Sequence, residues 1–203
     1  MVIALPARSL VLVAGLPGAG KSALLAGLPV GPTLRVVDSQ YQRDAIPRWL
    51  ADAVPYRVYR PLVHLRHRAA IGSAAVAGPA TVVVHLPATA RRTRTAVALL
   101  AALTRRGTHL VWLDVEPEVA LHGQRRRGRT VPGAAFAAHA RRALATTARL
   151  RAGRAPAGWR GVTVLDRAAM RAGVALDVGL QQRDADLARG RVDVGLGEAT
   201  LAA

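Results

Sequence analysis

The chain has no cysteine and no asparagine, a single lysine among its 29 basic residues, one phenylalanine, and aromatic residues at only 3% of its 203 positions. Each shortage excludes something. Without cysteine there is no disulfide framework, no thiolate metal site and no thiol redox chemistry. Few aromatics leave few platforms for stacking bases. Only Trp49, Trp112 and Trp159 with Tyr41, Tyr56 and Tyr59 are available, and Trp112 sits inside an apolar strand pattern. Long apolar runs are also missing. The first, Ser9 to Leu16, is short and ends in glycines, so neither a signal peptide nor a membrane span is expected. A cytoplasmic enzyme or binding protein is the expectation.

Acidic residues are scarce as well, and unevenly so. Residues 1–165 hold 24 of the basic residues against six acidic ones, while residues 166–203 hold five against six. Arginine in place of lysine reflects a composition skewed to Ala, Arg, Gly, Val and Leu and leaves charge unchanged. The excess itself is informative: the body of the protein attracts anions such as nucleotides, phosphorylated metabolites or nucleic acid.

The one lysine, Lys21, lies in GLPGAGKS, Gly15 to Ser22, which matches GxxxxGK[ST] at every fixed position. SLVLVA before it reads as a buried parallel strand, and SALLAGL after it as the start of a helix. Gly15, Leu16, Pro17, Gly18, Ala19 and Gly20 form a loop whose amides can encircle a phosphate chain. Lys21, Ser22 and Ala23 open a helix whose positive end faces the same phosphates. Lys21 would bridge the β- and γ-phosphates as a compact point charge, and Ser22 would ligate Mg²⁺. A planar guanidinium suits that cradle poorly, which explains why lysine survives here and nowhere else. ATP and Mg²⁺ are the expected ligands.

Strand patterns at Leu10–Ala14, Leu34–Asp38, Thr81–His85, His109–Asp114 and Val162–Leu165 alternate with helical ones at 21–28, 45–53, 61–77, 90–106, 117–126, 132–151 and 167–173. This predicts an α/β fold with a five-stranded parallel sheet covered on both faces. Residues 1–175 read as one domain, with an arginine-bearing lid over about 122–134. Residues 176–203 read as a C-terminal extension, partly disordered.

The strand ends narrow the class. The strand ending at His85 carries no carboxylate, the one ending at Asp114 has no following glutamate, and the absence of asparagine rules out an Asn-Lys-x-Asp motif. A hydrolytic motor or a GTPase switch is therefore disfavoured. LHGQRRRGRTVPGAAF, Leu121 to Phe136, groups Arg125, Arg126, Arg127 and Arg129 around a glycine break. It reads as a mobile lid that stabilises charge on a transferring phosphoryl group and excludes water, or as a solvated basic turn.

GLPGAGKS, VVDSQ at the end of the second strand, and QRRRGRTVP after LDVEPE together resemble the small P-loop kinases. That group includes 5′-polynucleotide kinases, zeta-toxin sugar-nucleotide kinases and chloramphenicol phosphotransferases, and its members often carry a generic AAA-family ATPase label. The resemblance covers roughly residues 9–166. It implies a kinase-type fold with an arginine lid, Asp38 as the carboxylate that accepts the acceptor hydroxyl's proton, and Arg126 and Arg129 on the ATP phosphates.

Asp38 has a chemical case of its own, because carboxyl ends of parallel strands line the ligand crevice and a carboxylate there can deprotonate an alcohol or join the magnesium sphere. It also reads as an N-cap for SQYQRD. Asp114 reads mainly as a cap for the next helix and second as a magnesium-sphere residue. Arg167, just after the fifth strand, is placed beside the adenine by position. His85 stands where related kinases commonly have an acidic or polar residue, and either contacts substrate or caps its strand. Two basic segments, Arg57 to Arg68 with His64 and His67 on one helical face, and Arg91, Arg92 and Arg94, read as acceptor-binding surfaces or as solvated faces.

The function expected is transfer of the ATP γ-phosphate to a hydroxyl on a small molecule or nucleotide-type acceptor, catalysed by Lys21, Asp38, Arg126 and Arg129. Gly15 to Ala23, Arg125 and Arg167 would hold the nucleotide, and Ser22 and Asp38 the metal. The alternatives are a 5′-hydroxyl nucleic-acid kinase, favoured by charge and disfavoured by the lack of aromatics, and a nucleotide-binding regulatory ATPase.

Overall fold

The structure is a computed structural model, and it describes residues 1–6, 8–28, 32–78, 81–126, 131–178 and 191–195. Their elements run β1 (Val2–Leu5), β2 (Ser9–Gly15), α1 (Lys21–Ala26), β3 (Leu34–Val37), α2 (Ser39–Asp44), α3 (Arg48–Ala53), α4 (Tyr56–Ala77), β4 (Thr81–His85) and α5 (Arg91–Leu103). Then come β5 (Gly107–Leu113), α6 (Pro117–Arg125), α7 (Gly133–Arg151), β6 (Gly161–Leu165), α8 (Arg167–Arg171), β7 (Ala175–Val178) and β8 (Arg191–Gly195).

One parallel sheet organises them, in the order β3-β4-β2-β5-β6-β8. The centre is β2, whose seven residues are all buried. It pairs with β4 (Leu10 opposite Val82) on one side and β5 (Leu10 opposite Thr108) on the other. A strand hydrogen-bonded on both edges and covered on both faces has no solvated side, so its residues are apolar without alternation. VLVA at 11–14, VVV at 82–84 and LVWL at 110–113 obey that rule and form the core. All five strands expected from the sequence are present. The segment Arg191–Gly195 extends the sheet as a sixth, in parallel register with β6.

A separate two-stranded element pairs β1 with β7 in parallel. Neither strand is among those expected from the sequence: each is four residues long and has its partner about 170 positions away in the chain, so no local signal marks the pairing. The helix expected over 45–53 starts only at Arg48, as α3, because Pro47 disfavours helical backbone in the residue before it, and a further short helix, α2, covers Ser39–Asp44 ahead of it.

Arginine also serves as structure in this chain. Arg106 is buried and donates from Nε to the Ala75 carbonyl (2.7 Å) and from Nη2 to the Gly78 carbonyl (3.0 Å). It thereby satisfies carbonyls that the end of α4 leaves open. Burial lowers its pKa from the ordinary guanidinium value.

Candidate active site

Parallel strands put their carboxyl ends on one edge, and the order β3-β4-β2-β5-β6 lines up the ends of five of them there. From β2 the chain enters the glycine loop, which runs beside the exit of β4. Leu86 donates its N–H to the Val13 carbonyl (3.3 Å), and Gly15 donates to the Pro87 carbonyl (3.2 Å). Lys21, the first residue of α1, is 4% exposed. Its Nζ donates to the carbonyls of Gly15 (3.0 Å) and Leu16 (2.6 Å). The lysine therefore lies across its own loop.

Gly18 sits at φ 93° and packs on α6: a Cβ there would collide with the Ala120 carbonyl. The reverse contact is as tight, since a Cβ on Gly123 would lie 2.5 Å from the Gly18 carbonyl oxygen. Gln124, 3% exposed, completes the joint. Its Nε2 donates to the Pro17 carbonyl (2.9 Å), while its Oε1 accepts from the Val131 N–H (2.9 Å). One carboxamide thus ties the phosphate-type loop to the chain entering α7. The sequence reading overlooked Gln124, and its only signal there was a lone polar residue on the inner face of an otherwise arginine-rich helix end.

Next to this joint lies a cavity of about 360 Å³ lined by Gly18, Ala19, Gly20, Ala23, Arg126, Arg167 and neighbouring residues of α6 and α8. Two arginines from different elements, Arg126 at the end of α6 and Arg167 at the start of α8, are brought to the glycine loop. Arg125 is exposed and does not line that cavity. Helix α6 continues to Arg125, so the first part of the expected lid is helical. Arg127 and Arg129 lie outside the described residues.

On the other side of β2, Asp38 follows β3 and His85 ends β4. The register sets Val37 opposite Val84, which leaves Asp38 and His85 side by side. His85 Nδ1 lies 2.8 Å from Asp38 Oδ1, with both side chains partly exposed. A carboxylate can only accept, so Nδ1 carries the proton of this bond. The Ser39 hydroxyl donates to the same oxygen at 3.3 Å. His85 is thus a partner of the carboxylate itself. It is anchored from behind by His67 of α4, whose Nε2 donates to the His85 carbonyl (2.9 Å). His67 is 1% exposed, and desolvation lowers its pKa despite that hydrogen bond.

Asp114 does not cap α6; the N-cap there is Glu116. Instead its carboxylate accepts from Thr147 Oγ1 (3.2 Å) and Arg151 Nη2 (2.6 Å), both on α7. Arg94 is neither a surface nor an acceptor-binding residue. It is buried, donates to the carbonyls of Ala88 (2.7 Å) and Thr89 (2.9 Å), and stacks 5.7 Å over the Trp112 ring. Ala88 has φ 44°, unfavourable for a side chain with Cβ, and the guanidinium secures that bend beside the glycine loop. The helical face of His64, His67 and Arg68 is divided: His67 turns into the core and the other two outward.

With the strand order and glycine loop established, the family assignment follows from a match of the AAA domain model AAA_33 to residues 10–152. The chain belongs to the AAA domain family. No curated protein matches it. Among solved structures, this AAA domain is similar to a protein of the PezAT chromosomal toxin–antitoxin system of Streptococcus pneumoniae. The TM-score is 0.57 and the identity 14%, covering 79% of this chain and 68% of that one. It is also similar to a candidate kinase from Chloroflexus aurantiacus, with TM-score 0.57 and 13% identity over 82% of this chain and 88% of that one. At such identities the likeness is one of fold alone: a parallel α/β sheet flanked by helices, with the glycine loop after its central strand. No helix among the described residues of the AAA domain is long and apolar enough to cross a membrane.

Proposed function

We propose that the protein is an ATP-dependent phosphotransferase whose acceptor is a hydroxyl group. The observation that carries this reading is the Asp38–His85 pair. A carboxylate held at 2.8 Å by an imidazole stands at the ends of β3 and β4, one strand from the glycine loop. A hydrolytic P-loop protein needs a carboxylate that positions water. A transferase needs one beside the acceptor, on the far side of the loop from the nucleotide's base.

In this reading Asp38 accepts the proton of the acceptor hydroxyl while His85 fixes the orientation of its carboxylate. Lys21 exchanges its carbonyl partners for phosphate oxygens, and the amides from Gly15 to Ala23 hold the rest of the triphosphate. Arg126 and Arg129 offset charge on the transferring group. Arg167 flanks the base in the cavity it shares with Ala23. For Mg²⁺, the Ser22 hydroxyl and the Asp38 carboxylate are hard oxygen donors of the kind that ion takes, so the residues present fit it. When bound, the ion would neutralise phosphate charge and align the oxygens.

The test is ATP consumption with Mg²⁺ by wild type and Asp38→Ala, alone and with a pool of nucleosides, sugar nucleotides, aminoglycoside- and phenicol-type alcohols and 5′-hydroxyl oligonucleotides. Acceptor-dependent turnover that the substitution lowers about 100-fold or more, the scale of a general base, supports the reading. ATP binding without turnover on any acceptor overturns it in favour of a regulatory nucleotide-binding protein. If the oligonucleotide is the acceptor, its binding weakens steeply with salt as phosphate contacts release counterions.

A further inference from the structure

Helix α4 has two apolar faces. One is in the core: Val63, His67, Ile71 and Ala74 recur at spacings of four, four and three and are at most 4% exposed. The other is a stripe of Val58, Leu62, Leu65, Ala69, Gly72 and Val76, recurring at alternating spacings of four and three. At about 100° per residue the centre of the stripe falls about 180° from the centre of the core face. The stripe is therefore the outward face. Val58, Leu62, Leu65 and Val76 are 61%, 43%, 65% and 67% exposed.

An outward face on a surface helix is normally polar, and isolated exposed leucines need no explanation. A heptad-type seam running most of a 22-residue helix is different, because that periodicity is what a second helix packs against. Gly72 adds a second observation. A mid-helix glycine costs about 1 kcal/mol relative to alanine. Nothing inside the molecule requires one there, since a Cβ at Gly72 would meet no atom within 4 Å. A glycine on the seam permits close approach of an incoming backbone.

Charge selects the occupant. Tyr56–Ala77 contains no Asp or Glu. Arg66 borders the stripe on one side and Arg68 on the other, both exposed. A second copy of α4 would set arginine against arginine, in a chain whose first 165 residues hold 24 basic and six acidic residues. We propose that the outward face of α4 is a docking surface for an amphipathic helix of a protein partner, with apolar residues at heptad spacing and Glu or Asp flanking them.

The experiment uses the full chain and two labelled helical peptides with the same leucine heptads, one flanked by glutamate and one by lysine. Binding is read by fluorescence anisotropy for wild type and for Leu62→Ser/Leu65→Ser. A parallel Arg66→Glu/Arg68→Glu variant probes the charge. Unchanged melting temperature and ATP affinity confirm that the variants are folded. The expected result is binding of the glutamate peptide alone, weakened at least tenfold by the serine pair, with the charge-reversed protein preferring the lysine peptide. Light scattering and sedimentation with vesicles containing phosphatidylserine read the competing occupants. The proposal is overturned if neither peptide binds, if binding ignores the serine pair, or if the serine pair instead abolishes a homodimer or a vesicle interaction.

Discussion

Lys21 Nζ lies 2.6 Å from the carbonyl oxygen of Leu16, inside the loop that the lysine is expected to serve. The buried ammonium draws its hydrogen bonds from the backbone it encloses, so the loop is already shaped around a positive charge. Lys21→Ala removes that charge together with its carbonyl contacts, and hydrogen bonds to charged groups are each worth about 1.5–3 kcal/mol. ATP affinity measured by calorimetry should fall at least tenfold. Lys21→Arg should not restore it, because a planar fork cannot occupy a point-charge site. Full affinity in the arginine variant would remove the explanation for the chain's single lysine.

Gly123 and Gly18 are in backbone contact, and a methyl group at Gly123 would press on the Gly18 carbonyl oxygen. Gly123→Ala should destabilise by about 1–3 kcal/mol, as overpacking does. That corresponds to a drop in melting temperature of several degrees for a chain this size, at about 2–4 °C per kcal/mol. ATP affinity should fall with it, since the displaced atom belongs to the loop. Gly133→Ala is the control. Its Cβ would meet open space in the first turn of α7, so calorimetric melting should show no loss of stability.

His67 supplies a dependence on pH. Burial depresses its folded-state pKa below the ordinary 6.5, so the unfolded chain binds the proton more readily. The stabilisation is complete above about pH 6.5 and is lost as pH falls from there through the depressed folded value. Urea midpoints should therefore drop between pH 7.5 and pH 5.5, and His67→Gln, which keeps a donor for the His85 carbonyl, should flatten that part of the profile. An unchanged slope in the variant would assign the acid sensitivity to other groups.

Local chemistry carried much of this protein. The glycine loop is legible because its function depends on consecutive backbone amides and one helix terminus, all within Gly15 to Ala23. Four of the five expected strands are legible because a central parallel strand must be apolar on both faces, and that run is visible without knowing its neighbours; β3 lies at the edge of the sheet and carries the exposed Arg35 within its short apolar run. Asp38 could be singled out for the same local reason, as a carboxylate at a strand end.

Tertiary structure decided everything that needs two distant segments. Asp38 and His85 are 47 positions apart and meet only because β3 and β4 are neighbours in register. Gln124 reaches Pro17 across 107 positions. Arg94, read from sequence as one of three surface arginines, is buried because the β4–α5 bend needs donors for two carbonyls. No local signal marks the pairing of the four-residue strands β1 and β7, since each obtains its hydrogen bonds from a partner far along the chain. The sequence determined which groups could act; the order of strands in the sheet determined which of them stand together.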